Sequence, residues 1–135
     1  MKQRRVVITG MGAVSPLGLD TASLWEGIRT AQSGIGPVTL CDVSNLETRF
    51  AGEVKGFDAN NYMDRKDARR NDRFIHFAVA AASEAIRMAG ISNTTVPAED
   101  IGVIIGSGMG GLATLAENIH TMAEKGPGRV SPFMV

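Results

Sequence analysis

The chain has 135 residues, the length of one ordinary domain, and its content of 44% hydrophobic and 21% charged residues is typical of a globular protein that can bury a core. Fourteen basic side chains balance fourteen acidic ones, which argues against a dedicated nucleic-acid or membrane binder. The charge is uneven: residues 1–75 have 11 basic and 9 acidic side chains (net +2), and residues 76–135 have 3 and 5 (net −2).

The N-terminal part of the chain predicts a strand, a helix and a second strand. Residues 5–10 form a β-branched run that ends at a glycine, which indicates a buried first strand. A helix is predicted after Asp20, where Ser23 and Glu26 have the spacing of a capping box. Residues 50–54 are a candidate for a short strand.

The rest of the chain predicts three helices and another strand. Asp64 is expected to cap a short basic helix, and Asp72 to cap the next one. The remaining predicted elements are an alanine-rich buried helix over residues 74–89, a strand over 101–105, a helix over 112–122 that Gly126 and Pro127 stop, and an extended segment over 131–135.

Apolar strands that alternate with helices favour an α/β fold whose sheet is covered on both faces. The sequence has no internal repeat, no low-complexity tract and no interdomain linker, and no apolar run long enough to span a membrane.

The glycine-rich loop at residues 106–111, GSGMGG, matches the G-x-G-x-x-G pattern of dinucleotide-binding loops. That fold also needs an acidic residue at a strand end about 20 residues later. Glu124 is the only acid in range, and it falls within a helix pattern. A phosphate cradle is therefore disfavoured, and the same glycines can instead allow a tight turn or the close passage of main chain and a ligand tail.

Other catalytic patterns fail on spacing or surroundings. Ser107 is not in a nucleophile elbow, because Ile105 stands where glycine is required. Cys41 has an acidic neighbour and is interpreted as a buried or incidental thiol, and a lone cysteine fits a reducing, cytosolic compartment. His76 and His120 are interpreted as ordinary helix residues, and two histidines provide no zinc-binding cluster.

A basic segment at residues 64–73 leaves two interpretations open. Its positive side chains recur four apart on a helix; they are Arg65, Lys66, Arg69, Arg70 and Arg73. They form either a solvated face with ion pairs to the interspersed aspartates or a docking patch for an acidic partner.

Five separated segments carry a resemblance to a known family. In order they are VVITGMGAVSPLG (6–18), AQSGI (31–35), MDRKDARR (63–70), GSGMGGL (106–112) and GPGRVSPF (126–133). Together they resemble the β-ketoacyl-acyl-carrier-protein synthases, most closely the type II elongation branch of bacterial fatty-acid synthesis. The resemblance covers essentially the whole chain.

The resemblance implies a thiolase-like layered α/β fold, of which residues 1–135 would be the incomplete first half, in a cytoplasmic homodimer without a cofactor. It implies a condensing acyltransferase: a cysteine takes an acyl group from acyl carrier protein, and malonyl-carrier protein is decarboxylated to give the attacking carbanion. In this family that cysteine, two histidines and a lysine come after the segment matched here. Cys41, His76 and His120 match none of them, so no catalytic residue is assigned and the 135 residues alone are expected to be inactive.

The resemblance also implies roles for six residues. Lys66, Arg69 and Arg70 match the basic patch that meets the carrier protein. Met109, Phe133 and Met134 match residues of the acyl pocket, where Met134 replaces an aromatic side chain.

Three functions remain open from the sequence. The first is a condensing enzyme, the second a non-catalytic ketosynthase-like partner subunit or inactive fragment, and the third a nucleotide-binding module.

Overall fold

The computed structural model of the chain describes residues 5–92 and 95–133. The four α-helices are α1 (Thr21–Arg29), α2 (Arg65–Arg70), α3 (Arg73–Ala89) and α4 (Leu112–Lys125). Two short strands, β1 (Gly36–Pro37) and β2 (Phe50–Ala51), pair in antiparallel fashion, with Gly36 opposite Ala51. Single 3₁₀ turns lie at Ala59–Asn61, Ala98–Asp100 and Pro127–Arg129. None of the helices in the described chain combines the length and apolar content needed to cross a membrane.

The chain divides into two compact units. The first comprises Met1–Asp58 and Ala80–Ile101, and the second comprises Ala59–Val79 and Gly102–Val135.

In the first unit, the carboxylate of Glu84 on α3 binds the loop before α1 and the first residue of α1. It accepts hydrogen bonds from the backbone N–H and the hydroxyl of Thr21, at 2.9 and 2.6 Å, and from the backbone N–H of Ala13 at 3.0 Å. Burial, the largest single influence, raises the pKa of Glu84, but these hydrogen bonds together lower it below its ordinary value. The carboxylate thereby fixes both the N-terminal loop and the first residue of α1.

Glycines let the N-terminal segment approach α3 closely. A Cβ added at Gly12 would overlap the backbone carbonyl of Ala81, and one added at Gly10 would lie 2.8 Å from the backbone nitrogen of Ala89. The predicted alanine surface of this helix therefore does support close packing. The predicted burial is only partial, because Ala80 alone counts as fully buried among the described residues of α3.

A second carboxylate, that of Glu53, holds the loop that follows β1. It accepts hydrogen bonds from the hydroxyl of Thr39 at 2.6 Å and from the backbone N–H groups of Thr39 and Leu40 at 2.9 and 3.1 Å. The Thr39 hydroxyl bond is the main cause that lowers the pKa of Glu53. The predicted strand over residues 50–54 is confirmed only at Phe50–Ala51.

Helix α1 begins directly after Asp20, as predicted, but its capping box joins Asp20 and Ser23 instead of Ser23 and Glu26. Asp20 is its N-cap: the carboxylate accepts from the Ser23 backbone N–H at 2.7 Å, and the Ser23 hydroxyl accepts from the Asp20 backbone N–H at 3.3 Å. Glu26 instead pairs with Arg29 at 2.8 Å. The helix ends at Arg29, and two residues later Ala31 has a left-handed φ of 53°, although it is not a glycine.

Residues 5–10 and 101–105, both predicted to be strands, carry no strand in the structure. Strand formation requires hydrogen bonds to a neighbouring strand, and the described chain offers neither segment such a neighbour. Their apolar side chains are accordingly exposed: 86% for Ile8 and 99% for Ile104. Among the described residues, the sheet that was predicted to be covered on both faces is therefore absent. The strands present are β1 and β2, of two residues each.

Candidate functional site

The basic patch, defined as Lys66, Arg69 and Arg70, lies on α2 in the second unit. All three side chains are exposed, and none forms an ion pair with another described residue. Asp64, the N-cap of this helix, makes no side-chain capping bond. Among the described residues, the ion pairs that a solvated charged face predicts are therefore absent from this patch, although Asp67 lies in the same helix.

Arg129, which the sequence interpretation missed, adds to this positive surface. It lies in the 3₁₀ turn after α4 and shares a cavity of about 340 Å³ with Arg69 and Arg70. The rest of the lining consists of two acids, several uncharged polar residues and one ring: Asp72, Glu117, Asn71, Thr114, Asn118, Thr121, Ser131 and Phe133. In the sequence, Arg129 is an isolated cation between a glycine and a valine. Its position beside Arg69 and Arg70 becomes visible only in the structure, where the turn after α4 places it in the same cavity.

Phe133 lies between the basic patch and a second cavity of mixed polar and apolar lining. The guanidinium carbon of Arg70 lies 5.1 Å from the centroid of the Phe133 ring, a cation–π distance. A second cavity, also about 340 Å³, is lined by Phe133 and by Arg70, Asn71, Asp72, Phe74, Ile75, Gly110, Gly111 and Pro132. The predicted acyl-pocket residue therefore lines a cavity with the loop that carries Met109.

The other two predicted acyl-pocket residues are not brought into this cavity. Met109 is 76% exposed and does not line it, although the adjacent Gly110 does. Met134 lies outside the described residues.

A carboxylate occupies the place in the glycine-rich loop where a phosphate cradle would bind its ligand. Gly111 is the N-cap of α4, and a Cβ added there would overlap the carboxylate of Asp72. The Asp72 carboxylate accepts a hydrogen bond from the Thr114 hydroxyl in the first turn of α4. A negative charge already placed at this helix N-terminus disfavours a second anion.

Asp72 precedes the first residue of α3, the position that was predicted for a cap. Its backbone carbonyl accepts hydrogen bonds from Ile75 and His76 at the start of α3, at 2.9 and 3.2 Å, and its side chain accepts one from Thr114.

Asn118 anchors the segment that ends at Phe133. It is 8% exposed; its amide donates to the Thr114 carbonyl at 2.8 Å, and its side-chain oxygen accepts from the Ser131 backbone N–H at 2.7 Å. The sequence does contain a signal for it, because Thr114 and Asn118 stand four apart on one polar face of the predicted helix.

The residues rejected as catalytic lie apart from these cavities. The His76 ring nitrogen is 3.0 Å from the Ala68 carbonyl, and His120 pairs with Glu124 at 3.2 Å on the exposed face of α4. Both are helix residues, as predicted. Cys41 is exposed, so of the two expectations, a buried or an incidental thiol, the buried one is wrong.

Comparison with known proteins decides the family. Residues 3–135 match the family model for the beta-ketoacyl synthase N-terminal domain. The chain belongs to the β-ketoacyl synthase family. Within this ketosynthase family it is 46% identical to the 3-oxoacyl-[acyl-carrier-protein] synthase 2 of Synechocystis sp. and 47% identical to that of Vibrio cholerae, in each case over all 135 residues. It spans 32% and 33% of those relatives, about a third of their length.

Solved ketosynthase structures confirm the predicted thiolase-like α/β fold. The ishigamide ketosynthase/chain length factor superposes with a TM-score of 0.76 at 28% identity, covering 97% of this chain and 33% of that one. A beta-ketoacyl synthase from Burkholderia phymatum gives 0.77 at 27% identity, covering 98% and 33%. A type II polyketide ketosynthase solved in complex with its acyl-carrier protein gives 0.78 at 18% identity, covering 97% and 34%, a likeness of fold alone.

Proposed function

We propose that the natural gene product containing these residues is a condensing acyltransferase of fatty-acid synthesis. It elongates acyl chains on acyl carrier protein by decarboxylative Claisen condensation with malonyl-carrier protein. One observation carries this proposal: the whole chain aligns, at 46% identity, with a 3-oxoacyl-[acyl-carrier-protein] synthase 2. Residues 1–135 form the N-terminal portion of its ketosynthase domain, and a cytoplasmic homodimer is the form we expect.

The basic patch is the proposed docking surface for the carrier protein. Its three cations are exposed and without ion-pair partners in the described chain, and Arg129 shares a cavity with two of them. Unpaired surface cations attract an acidic partner and orient it during encounter. The acyl pocket is proposed to begin at Phe133 and to include Met109 and Met134.

A non-catalytic partner subunit is the second candidate. The observation that favours it is the structural similarity to the ishigamide ketosynthase/chain length factor. Such a subunit would influence acyl-chain length without performing the condensation.

The decisive experiment is a condensation assay of the natural gene product with acyl- and malonyl-carrier proteins. Release of carbon dioxide together with a β-ketoacyl product two carbons longer is the expected result. Carrier binding without product, restored to activity only when a second subunit is added, would favour the partner role. Absence of both binding and product would overturn both candidates.

A charge-reversal pair tests the docking surface. Arg69→Glu is expected to raise KM for carrier-linked substrates by about tenfold, equivalent to about 1.4 kcal/mol, because it replaces attraction with repulsion. Arg87→Glu is the matched control, since Arg87 is an exposed cation in the last turn of α3, outside the patch. Equal effects of the two changes on KM, or loss of the difference at low salt, would contradict a docking role.

A further inference from the structure

Arg70 differs from the other cations of the basic patch in contacting an aromatic ring. Its guanidinium carbon lies 5.1 Å from the centroid of Phe133, and this ring lines the cavity beside Gly110 and Gly111. Arg70 thus belongs to the proposed docking surface and also contacts a residue of the proposed acyl pocket.

The backbone of the Phe133 segment is held independently of Arg70. Asn118 accepts from the Ser131 backbone N–H at 2.7 Å, and the Ser131 hydroxyl accepts from the Phe133 backbone N–H at 3.2 Å. Because these hydrogen bonds hold the main chain on α4, Phe133 can move mainly by rotation of its side chain. The residue is 51% exposed, so the ring has room to rotate. The contact with Arg70 restricts that rotation.

The contact is one that an acidic partner can alter. Arg70 makes no ion pair with any other described residue, so its charge is available to a carboxylate. A charge-assisted, bidentate hydrogen bond from a guanidinium to a carboxylate is stronger than a cation–π contact at an exposed site. A carboxylate that engages the N–H edge of Arg70 therefore fixes where the guanidinium lies and alters its contact with Phe133.

We propose that Arg70 is a positioning residue that couples the docking of an acidic carrier protein to the placement of the Phe133 ring, and through that ring to the choice of acyl-chain length. This inference rests on the proposed function, because it takes the carrier protein as partner and Phe133 as a pocket residue. Before docking, Arg70 holds the ring in place; after docking, the altered contact lets the ring adjust to the acyl chain.

The kinetic test compares Arg70→Met with Arg69→Met in the natural gene product. Both changes remove one patch cation from α2, but only the first removes a ring contact. With hexanoyl- and tetradecanoyl-carrier proteins, Arg70→Met is expected to change the ratio of the two kcat/KM values by about two- to fivefold, the range of an exposed cation–π contact. Arg69→Met is expected to raise both KM values equally and leave the ratio unchanged.

A second variant tests whether the effect passes through the ring. The double variant Phe133→Leu, Arg70→Met is expected to have the same ratio of the two kcat/KM values as Phe133→Leu alone. A ratio that changes further, or an Arg70→Met enzyme that behaves like Arg69→Met, overturns the coupling.

A spectroscopic test separates this inference from the proposed function. The ring resonances of labelled Phe133 are followed by NMR while unacylated carrier protein is added. A shift that occurs in the wild type and in Arg69→Met but disappears in Arg70→Met supports the coupling even where no condensation is detected. A shift that persists in Arg70→Met overturns it, and a wild-type protein that neither binds carrier nor condenses overturns the proposed function itself.

Discussion

At the scale of single residues, Glu84 shows how one side chain organises distant backbone. Its carboxylate accepts three hydrogen bonds from residues 63 and 71 positions away along the sequence. The lowered pKa means that the charged form binds these donors better in the folded state than in the unfolded one. This stabilisation is therefore fully present above the ordinary glutamate pKa of about 4.3 and is lost as the pH falls through the lower folded pKa.

Glu84→Gln tests this role. The amide keeps one acceptor oxygen but offers an NH₂ group to the donor N–H of Ala13 or Thr21, so the free energy of unfolding at pH 7 is expected to fall by about 1–3 kcal/mol. Urea unfolding of the natural gene product at a series of pH values measures the loss. The deficit should begin to shrink below about pH 4.3, where the glutamate of the unfolded chain becomes protonated, and should be lost as the pH falls through the lower folded pKa.

Glu47→Gln is the control, because Glu47 is exposed and makes no described hydrogen bond. A Glu84→Gln protein with the stability of this control at pH 7, or a deficit that does not change with pH, would rule out the proposed contribution of the charge.

At the scale of elements, local signals allowed the helices to be predicted from the sequence. Helix α4 follows from its apolar spacing and from the glycine and proline after it, and α2 from its aspartate and its run of charged residues. The details that failed depend on tertiary contacts. Asp72 stands before α3 as predicted, but the hydrogen bond that its carboxylate accepts from Thr114, 42 residues away, has no local signal.

The strands show the opposite limit. Residues 5–10 and 101–105 have the composition of buried strands, yet pattern alone does not supply the hydrogen-bonding neighbour that makes a strand. The candidate site was predicted in the same uneven way. The patch on α2 and Phe133 follow from the family resemblance, whereas Arg129 and Asn118 join them through the fold of the segment after α4.

The packing of the N-terminal segment on α3 leads to a prediction at this scale. Gly12→Ala is expected to destabilise the natural gene product by about 1–3 kcal/mol, because the added methyl group meets the backbone carbonyl of Ala81, which moves only if the helix moves. Thermal or urea unfolding measures the change.

Gly128→Ala provides the comparison. A Cβ at Gly128 has no described atom within 4 Å, and its φ lies outside the left-handed region, so a change within about 0.5 kcal/mol is expected. Equal destabilisation by the two substitutions would show that the close approach at Gly12 carries no special cost.

At the scale of the whole molecule, the accessible surface is large for the mass of the chain. It amounts to 10934 Å² for 14.3 kDa, whereas a folded monomer of that mass exposes about 6,800 Å². Much of the excess is apolar and lies on identifiable features, such as the α4 stripe of Leu112, Leu115, Ile119 and Met122, each 41–53% exposed. Apolar surface of this extent indicates that these side chains pack against something other than the 135 residues themselves.

A polypeptide of these 135 residues is therefore expected to self-associate and to bind a hydrophobic dye such as anilinonaphthalene sulfonate. Sedimentation velocity over a concentration series, with dye fluorescence in parallel, measures both properties. The natural gene product serves as reference and should bind less dye per unit mass. A polypeptide that remains monomeric and does not bind the dye would contradict this interpretation of the exposed surface.

The hydrogen bonds of Glu84 also bear on how the chain is made. During synthesis at about 5–20 residues per second, Glu84 is added to the chain about 4–14 seconds after Ala13, its hydrogen-bond partner. Throughout that interval the glycine-containing N-terminal segment lacks the carboxylate that will hold it. Residues made early therefore depend on a partner made 71 positions later, and the N-terminal segment has to avoid other partners until α3 has been synthesised.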